Sequence, residues 1–550
     1  MLLEPIVPFL STSIDIIRMA KVKNDDEIKK STRNDCDSLL KIFDEIFSDC
    51  EFRDTERCSY SLPSMILRIF LAVAAGSTAV TQITKWVHDH QYDLAELHPE
   101  LSGEPSYSSL FRCVSRMPSE VLQTLFCNIS QDDYTKRRKE YGTYDTDDLM
   151  QIDQVAFDGQ CMNATKLLKK EQNEEGGLKR ESGFQIVSLT SKKEKMVLAQ
   201  RICTKKNQEV SETLKMLTEG IDISGTVLTA DALNTCPAIA EAAIKCRAHW
   251  LLNVKRNHSR NLLERDQIEH VFTKAIIAHR ENPYSYSDLI TEDFSEIKGG
   301  YHFRKTIYVL PVSRFLKADP NLSKYPEIKY VAMIFSHDTL LRCDNVSYCS
   351  EDIFITSLEN KYGNSPEAKK KFALGLVNVK ISEWCVETIH QFLDHDFRQD
   401  NLCLKKAETA SNRSIIHKFV LNGLLKEREE INSFKDENAA VSLNYVMSSC
   451  NARIDYAFRL LFNIPWKKQR PSETDTLVEE MRCSVEELEL YEYQELMESN
   501  TPLSPVEHYG LSVRIMEPET EFSEQSREIP LEKFSHKRKR RPVLIPCMLA

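Results

Sequence analysis

Residues 227–233 read VLTADAL. The run Val227, Leu228, Thr229, Ala230 has the character of a buried strand, and it stops on Asp231 with no Gly, Pro or Asn to mark an ordinary turn. A second stretch, QIDQVAF (151–157), has the same form and runs into Asp158-Gly159. If the two strands are neighbours in one sheet, both carboxylates emerge at the same edge. Two such groups repel and raise each other's pKa unless a cation lies between them. A hard divalent ion, Mg²⁺ or Mn²⁺, suits oxygen ligands, and two such ions about 3.5–4 Å apart serve phosphoryl transfer. The competing reading is local: Asp158 heads an Asp-Gly turn and Asp231 caps a helix beginning near Cys236.

Working outward, FQIVSLTS (184–191) and MVLAQRICT (196–204), separated by SKKEK, predict a hairpin. CPAIAEAAIKCRA (236–248) predicts a helix with Pro237 near its first turn, and HWLLNVK (249–255) another strand. The order strand, hairpin, strand, helix, strand predicts a mixed sheet flanked by helices. Upstream, residues 54–140 read as all-helical. Leu62-Pro63-Ser64 offers a helix start, followed by Met65, Ile66, Ile69, Phe70 and Val73 at helical spacing, and Pro105-Ser106 precedes a second short helix. Downstream, TIYVLPV (306–312) and KYVAMIFS (329–336) are strand-like, and SEWCVETIHQFLDHDF (382–397) and NRSIIHKFVLNGLLK (412–426) are helical. Residues 470–500 are acidic with a helical pattern, and the last 50 are polar and proline-containing, a composition that predicts disorder.

The chain of 550 residues is too long for one ordinary core. No apolar run of about 18 residues predicts a membrane span. The greasy segment 65–76 is interrupted by Arg68, and residues 1–10 lack the basic flank of a signal peptide. The 16 cysteines have neither CxxC nor finger spacing, which predicts reduced thiols. A net charge of −11 does not announce a nucleic-acid binder, but phosphate contacts depend on local patches rather than on the total.

AFDGQ (156–160), the hairpin leading into TKKNQE (204–209), residues 227–258, FITSLE (354–359), EWCVETIHQFLDHDFRQD (383–400) and SNRSIIHKFVLNGLLK (411–426) occur in this order. Together they resemble the transposases of ISAs-type insertion sequences, the H-repeat-associated proteins of the DDE transposase superfamily. Residues 59–87, followed by PSYSSLFR (105–112), resemble that family's N-terminal associated domain. The resemblance covers about residues 54–426. It implies an α/β fold: a ribonuclease-H-like mixed sheet flanked by helices, with a helical N-terminal domain and a partly β insertion in the catalytic core. The expected division is an extension (1–53), a helical associated domain (54–145), a catalytic domain (146–426) with an insertion at about 258–380, a helical acidic extension (427–500) and a basic-ended tail (501–550). The resemblance implies Asp158, Asp231 and Glu387 as catalytic and metal-holding acids, the last from Trp384-Cys385-Val386-Glu387, with Glu296 as a rival. It further implies two Mg²⁺ or Mn²⁺ ions, cleavage of DNA at terminal inverted repeats, transfer to target DNA, and assembly as a dimer or larger.

The sequence departs from the family pattern in four places. Gln160 follows the Asp-Gly where a Lys is usual, Glu383 precedes the Trp where a base is usual, Phe303 stands at a Glu position, and the segment after Glu387 is one residue shorter. These departures motivate an alternative, an inactive derivative that binds DNA or protein, and a hydrolytic nuclease on the same fold is the third reading. Lys255 and Asn257 match a Lys-Gly-Asn-Gln pattern that would hold a phosphate, and Arg398, Lys405 and Lys406 are further candidates for DNA contact. His390, Asp394, His395 and Asp396 look metal-like, yet polar residues ringing the helical stripe Ile389, Phe392, Leu393 explain them, with Asp394 a neighbour of the site rather than a ligand. Lys537, Arg538, Lys539, Arg540 and Arg541 resemble a nuclear import signal. The expected location is the cytoplasm, at the nucleoid, in a bacterium and the nucleus in a eukaryote.

Overall fold

The computed structural model describes residue 53 and residues 25–47 and 55–462, apart from 141, 143–145, 147, 163–164, 166–167, 173–177, 181–182, 204–207, 219–220, 256–262, 283, 299–300, 342–345, 382–383, 402–403, 405 and 435–439. Asn257, Lys405 and residues 537–541, together with the acidic stretch and the tail, lie outside the described residues.

The chain opens with helices α1 (Asp25–Phe47), α2 (Leu62–Ala74), α3 (Val80–Asp89), α4 (Gln91–Leu97), α5 (Tyr107–Arg116) and α6 (Ser119–Glu140). Ser61 starts α2 by accepting the Ser64 N–H, with Pro63 in the first turn where its missing donor costs nothing. Every residue of α2 is buried, Arg68 included. The guanidinium that interrupts the apolar run donates to Ser64 Oγ at 2.9 Å and to the carbonyls of Glu100 and Ser102 at 3.1 and 2.8 Å. It therefore ties α2 to the loop after α4, and burial pushes its pKa down to about 10.

The remaining elements are β1 (Gln154–Cys161), β2 (Leu168–Gln172), β3 (Leu178–Arg180), β4 (Gln185–Ser191), β5 (Met196–Cys203), α7 (Glu209–Thr218), β6 (Val227–Ala230), α8 (Pro237–Lys245), β7 (His249–Val254), α9 (Arg265–Glu281), β8 (Ile290–Lys298), β9 (Tyr301–Pro311), β10 (Tyr330–Leu340), β11 (Val346–Thr356), α10 (Pro366–Ile381), α11 (Trp384–His395), α12 (Ala407–Ser433), α13 (Leu443–Ala452) and α14 (Ile454–Phe462). Apart from the small β2–β3 ribbon, the strands form one nine-stranded mixed sheet in the order β5-β4-β1-β6-β7-β11-β10-β9-β8. The first five are a ribonuclease-H-like set: β1, β4 and β5 form an antiparallel meander, with β4 running against both its neighbours, while β6 and β7 run parallel to β1. The predicted hairpin is β4–β5.

Both faces of this sheet are covered, which is why VLTA is a continuous apolar run rather than an alternating one. Val227 and Leu251 face a core completed by Phe372 and Leu376 of α10. Leu228, Trp250 and Leu252 face the opposite core with Ile239 of α8 and Phe272 of α9. Successive residues thus serve opposite faces.

One expectation needs correction. β1 does not end at Asp158-Gly159. It continues to Cys161, with Asp158 opposite Ser188 and Gly159 opposite Val187 on β4. An Asp-Gly pair is a turn signal only where no neighbouring strand takes up its backbone groups; here β4 pairs with the chain as far as Cys161. The strands between 258 and 380 join the core sheet, a pairing on which the sequence was silent. Residues 353–356 of β11 pair antiparallel with 251–254 of β7, so β8–β11 prolong the same sheet. An uncovered β7 would present a row of unpaired backbone groups, and β11 satisfies them. The opposite edge is closed by a side chain: Asn422 of α12 accepts the Val197 N–H at 2.9 Å and donates to the Val197 carbonyl at 2.8 Å.

α12 runs without a break through residue 426, and α13 and α14 return to the N-terminal helices. Phe419, Val446 and Phe458 share one core with Phe43, Phe70 and Phe126, and Trp86 Nε1 donates to Asn451 Oδ1 at 2.9 Å. Asn412 of α12 donates to the Val114 and Met117 carbonyls at the end of α5, groups that the helix itself leaves unpaired.

His417, fully buried in α12 beside Phe397, is held neutral. Burial, then the Arg413 and Lys418 cations, push its pKa down to about 3. A base whose pKa is lower folded than unfolded binds fewer protons in the native state. Its contribution is complete above the unfolded value near 6.5 and is lost as pH falls from there toward about 3. Thermal melts of wild type should therefore lose stability through that window, and His417→Gln should flatten the loss measurably.

Candidate active site

The register of two strands brings the first two acids together. Phe157 pairs with Ala230 in the parallel β1–β6 ladder, so Asp158 and Asp231, one step further, lie abreast at the C-terminal edge of adjacent strands. Neighbouring strands are about 4.8 Å apart. β6 stops at Asp231 because Asp231 Oδ1 accepts the N–H groups of Leu233 and Asn234, both at 3.0 Å, turning the chain away from the sheet. Asn253 of β7 donates to the last carbonyl of β6, that of Ala230. The helix that follows has Cys236, not Asp231, at its N-cap. Asp231 thus terminates the strand and faces Asp158.

The third acid arrives on α11, which packs on β1 and β4. Val386, Ile389 and Leu393 are its buried stripe, and Glu387 is on the exposed side. Glu387 lies near enough to Asp158 to raise its pKa. Burial comes first among the causes, then repulsion from Asp231, Glu387 and Glu209, and together they hold Asp158 well above the ordinary carboxylate range. Burial also raises Asp231, with Glu209 adding to it, while the Asn234 and Leu233 N–H groups and the Lys255 ammonium pull the other way.

Asp153, five residues earlier on the same stretch, supplies the contrast. Its buried carboxylate accepts from Tyr134 Oη and Ser191 Oγ, each at 2.7 Å, and from the N–H groups of Gln154 and Lys193. That is a satisfied structural acid. Asp158 is instead set among like charges. The Gly159 N–H donates to it, and His390 Nδ1 stands 3.9 Å from Asp158 Oδ2. This is not an ion pair, because burial, aided by the Lys418 cation, pushes His390 down to about 3 and keeps the imidazole neutral. His390 Nε2 is buried with no hydrogen-bond partner among the described residues.

Glu209, the first residue of α7, was not identified from the sequence, although TKKNQE ends on it. Gln185 Nε2 of β4 donates to its Oε1 at 3.1 Å. Its carboxyl lies over Gly159: a Cβ there would stand 2.7 Å from Glu209 Cδ. The signal for it was the glycine next to Asp158, which reads as a turn until the strand is seen to continue.

Asp158, Asp231 and Glu387 are carboxylates without sulfur among them, the chemistry that suits a hard divalent cation. Among the described residues no three acidic, histidine or cysteine side chains converge closely enough to hold one metal ion. The His390, Asp394, His395, Asp396 group is not a metal site either. His390 is buried beside Asp158, Asp394 accepts from Gln160 Nε2 at 2.5 Å, and exposed His395 meets its neighbour Asp396. The Gln160–Asp394 bond ties β1 to α11, so the departure at Gln160 has a structural use. It leaves Asp394 without a cation at hydrogen-bond distance on that side, and burial, then Asp400, push it up to about 7.

Glu296 lies on β8, the outer edge strand, six strands from β1, or about 29 Å. Phe303 is its partner on β9, so that departure too is remote from the acids. Lys255 follows β7 on the Asp231 side of the site. Arg398 is exposed in the turn after α11, in a left-handed conformation with φ of 48°, and Lys406 is the N-cap residue of α12. No helix among the described residues is long and apolar enough to cross a membrane.

Protein YbfL of Escherichia coli (strain K12) is 23% identical over 222 residues, 40% of this chain; the aligned stretch spans about half, 53%, of that protein. A piggyBac transposase solved in a synaptic complex with hairpin DNA aligns with 84% of this chain and 88% of its own, at 11% identity and a TM-score of 0.36. A family model described as DDE_Tnp_1-associated matches residues 45–129, and one described as Transposase DDE domain matches residues 150–422. With those two models accounting for well over half of its length, the chain belongs to the DDE transposase family.

Proposed function

We propose that this protein is a DNA transposase of the insertion-sequence kind that its motifs resemble. It would cut DNA at the terminal inverted repeats of its element and join the freed 3′ ends to target DNA. The observation that carries the reading is the juxtaposition of Asp158 and Asp231 on adjacent parallel strands with Glu387 close to Asp158, an arrangement that leaves like charges packed together. Asp158, Asp231 and Glu387 would hold two Mg²⁺ or Mn²⁺ ions. When bound, such ions supply charge neutralisation and Lewis-acid activation for in-line displacement at phosphorus.

The protein's own share is position. The rigid edge of β1 and β6 fixes two acids relative to each other, and the Gln160–Asp394 bond fixes α11, and with it Glu387, against β1. Lys255 lies where a cation can bind a phosphate beside the acids, and Arg398 and Lys406, with Asn257 and Lys405, would follow the DNA backbone. In the first step water attacks the phosphodiester, the P–O3′ bond breaks and a 3′-hydroxyl is left. In the second, that hydroxyl attacks a target phosphodiester and a target 3′-hydroxyl leaves. Two ends must meet for this, so a dimer or larger assembly on DNA belongs to the proposal.

The test is incubation of the full chain with labelled terminal-repeat duplex, target plasmid and Mg²⁺ or Mn²⁺. Joined products are expected. Cut but never joined ends would make it a hydrolytic nuclease, and specific binding without any cut would make it an inactive derivative.

A further inference from the structure

We propose that His390 is a metal ligand, the nitrogen donor that joins Asp158 and Glu387 on one divalent cation and makes that position prefer Mn²⁺ to Mg²⁺. This rests on the carboxylate site proposed above and adds to it a donor of different chemistry.

The imidazole is aimed into the site. His390 is 7% exposed, on the face of α11 that packs against β1 and β4. Its Nδ1 stands 3.9 Å from Asp158 Oδ2, beyond hydrogen-bond length. Two ligand atoms, each about 2.1 Å from one ion, are about 3.0 Å apart when they meet at a right angle and about 4.2 Å apart when opposed. The gap between His390 and Asp158 falls inside that span. It is too wide for a hydrogen bond and suits an ion lying between the two atoms.

A structural role does not explain the placement. Among the described residues neither ring nitrogen of His390 has a hydrogen-bond partner, and Nε2 is shielded from solvent. Buried polar groups are ordinarily paired. His98, also 7% exposed, follows that rule: its Nε2 meets Asp37 Oδ1 at 2.9 Å and its Nδ1 accepts the Glu100 N–H at 3.2 Å. A ring as buried as His390 is neutral, and the neutral ring has the lone pair that a metal takes.

The third donor comes from the same helix. Glu387 and His390 are three residues apart in α11, which puts them on one flank. Glu-x-x-His is the spacing by which helices present a carboxylate and an imidazole together in carboxylate-rich metal proteins. Glu387 is exposed, and rotation of its side chain brings the carboxylate onto an ion flanked by Asp158 and His390. Imidazole nitrogen favours transition-metal ions, whereas Mg²⁺ takes oxygen ligands.

The experiment measures binding of Mn²⁺ alone and of Mg²⁺ alone to the full chain by calorimetry. Pulsed electron paramagnetic resonance of the Mn²⁺ form reads the ligands, with melting curves in chelator as the fold control. Wild type should show Mn²⁺ coupled to a nitrogen nucleus, and ¹⁵N-labelled histidine should change the coupling to that of ¹⁵N. His390→Gln should abolish the coupling and weaken Mn²⁺ at one position at least about tenfold, the lower end of what loss of even an outer partner costs. It should weaken Mg²⁺ less, so the ratio of Mn²⁺ to Mg²⁺ affinity falls. His395→Gln, at the exposed end of the same helix, should keep both the coupling and the ratio. Wild type without nitrogen coupling, or His390→Gln weakening both ions equally, would overturn the proposal; the carboxylate site then stands if Asp158→Asn still loses Mn²⁺. If Asp158→Asn binds Mn²⁺ as wild type does, the carboxylate site falls, and this proposal with it.

Discussion

Asp231→Asn should reduce metal-dependent cleavage of terminal-repeat DNA by at least about a thousandfold, equivalent to about 4 kcal/mol of lost transition-state stabilisation. The substitution is a sensitive one because it spares the fold. Oδ1 of an asparagine can still accept the Leu233 and Asn234 N–H groups that end β6, so the turn survives and only the charge is removed. Single-turnover cleavage with labelled duplex gives the readout, and a binding assay on the same DNA should be little changed. Cleavage that survives the substitution at more than about a tenth of the wild-type rate would remove Asp231 from the chemistry.

The second large effect is on stability. Asp158 is held above the ordinary carboxylate range by burial and by three other acids, so at neutral pH its ionised form opposes folding. Neutralising it should help: Asp158→Asn is expected to melt several degrees above wild type in chelator at pH 8. Mn²⁺ should reverse the order. An ion at a hundred times its Kd stabilises the protein that binds it by about 2.7 kcal/mol. Wild type should therefore gain several degrees from Mn²⁺ while Asp158→Asn gains almost none. Differential scanning fluorimetry with and without chelator reads both halves. A variant that melts below wild type in chelator would contradict the electrostatic account of this site.

The sequence carried the parts of the site that are local. A strand ending on a carboxylate is visible because VLTA is apolar on both faces and Asp231 is not, and α11 is visible from the stripe Ile389, Phe392 and Leu393, although Phe392 proves only half-buried and Val386 takes its place in the stripe. What strand periodicity does not encode is the partner across the ladder. QIDQVAFDGQ therefore read as a strand and a turn, whereas pairing with β4 on one side carries the strand through Gly159. The same blindness hid Glu209, which packs over a glycine five elements earlier in the chain. It also hid the continuation of the sheet, because nothing in TIYVLPV or KYVAMIFS says that β11 will bond to β7. Asp153 shows the converse: a second acid in the same stretch is distinguished from Asp158 only by the donors that surround it.

α12 has one more consequence. From a single stretch of helix it completes the buried centre of the N-terminal helices, caps the end of α5 and closes the β5 edge of the sheet. The helical region and the catalytic sheet thus have a structural member in common, and neither can be cut away intact. A fragment beginning at β1 would strip α12 of half its packing, and one ending at α6 would lose the helix that fills its middle. The protein is two regions by sequence joined by one continuous helix, so a displacement of the helical region would reach, through that rod, the edge of the sheet two strands from Asp158.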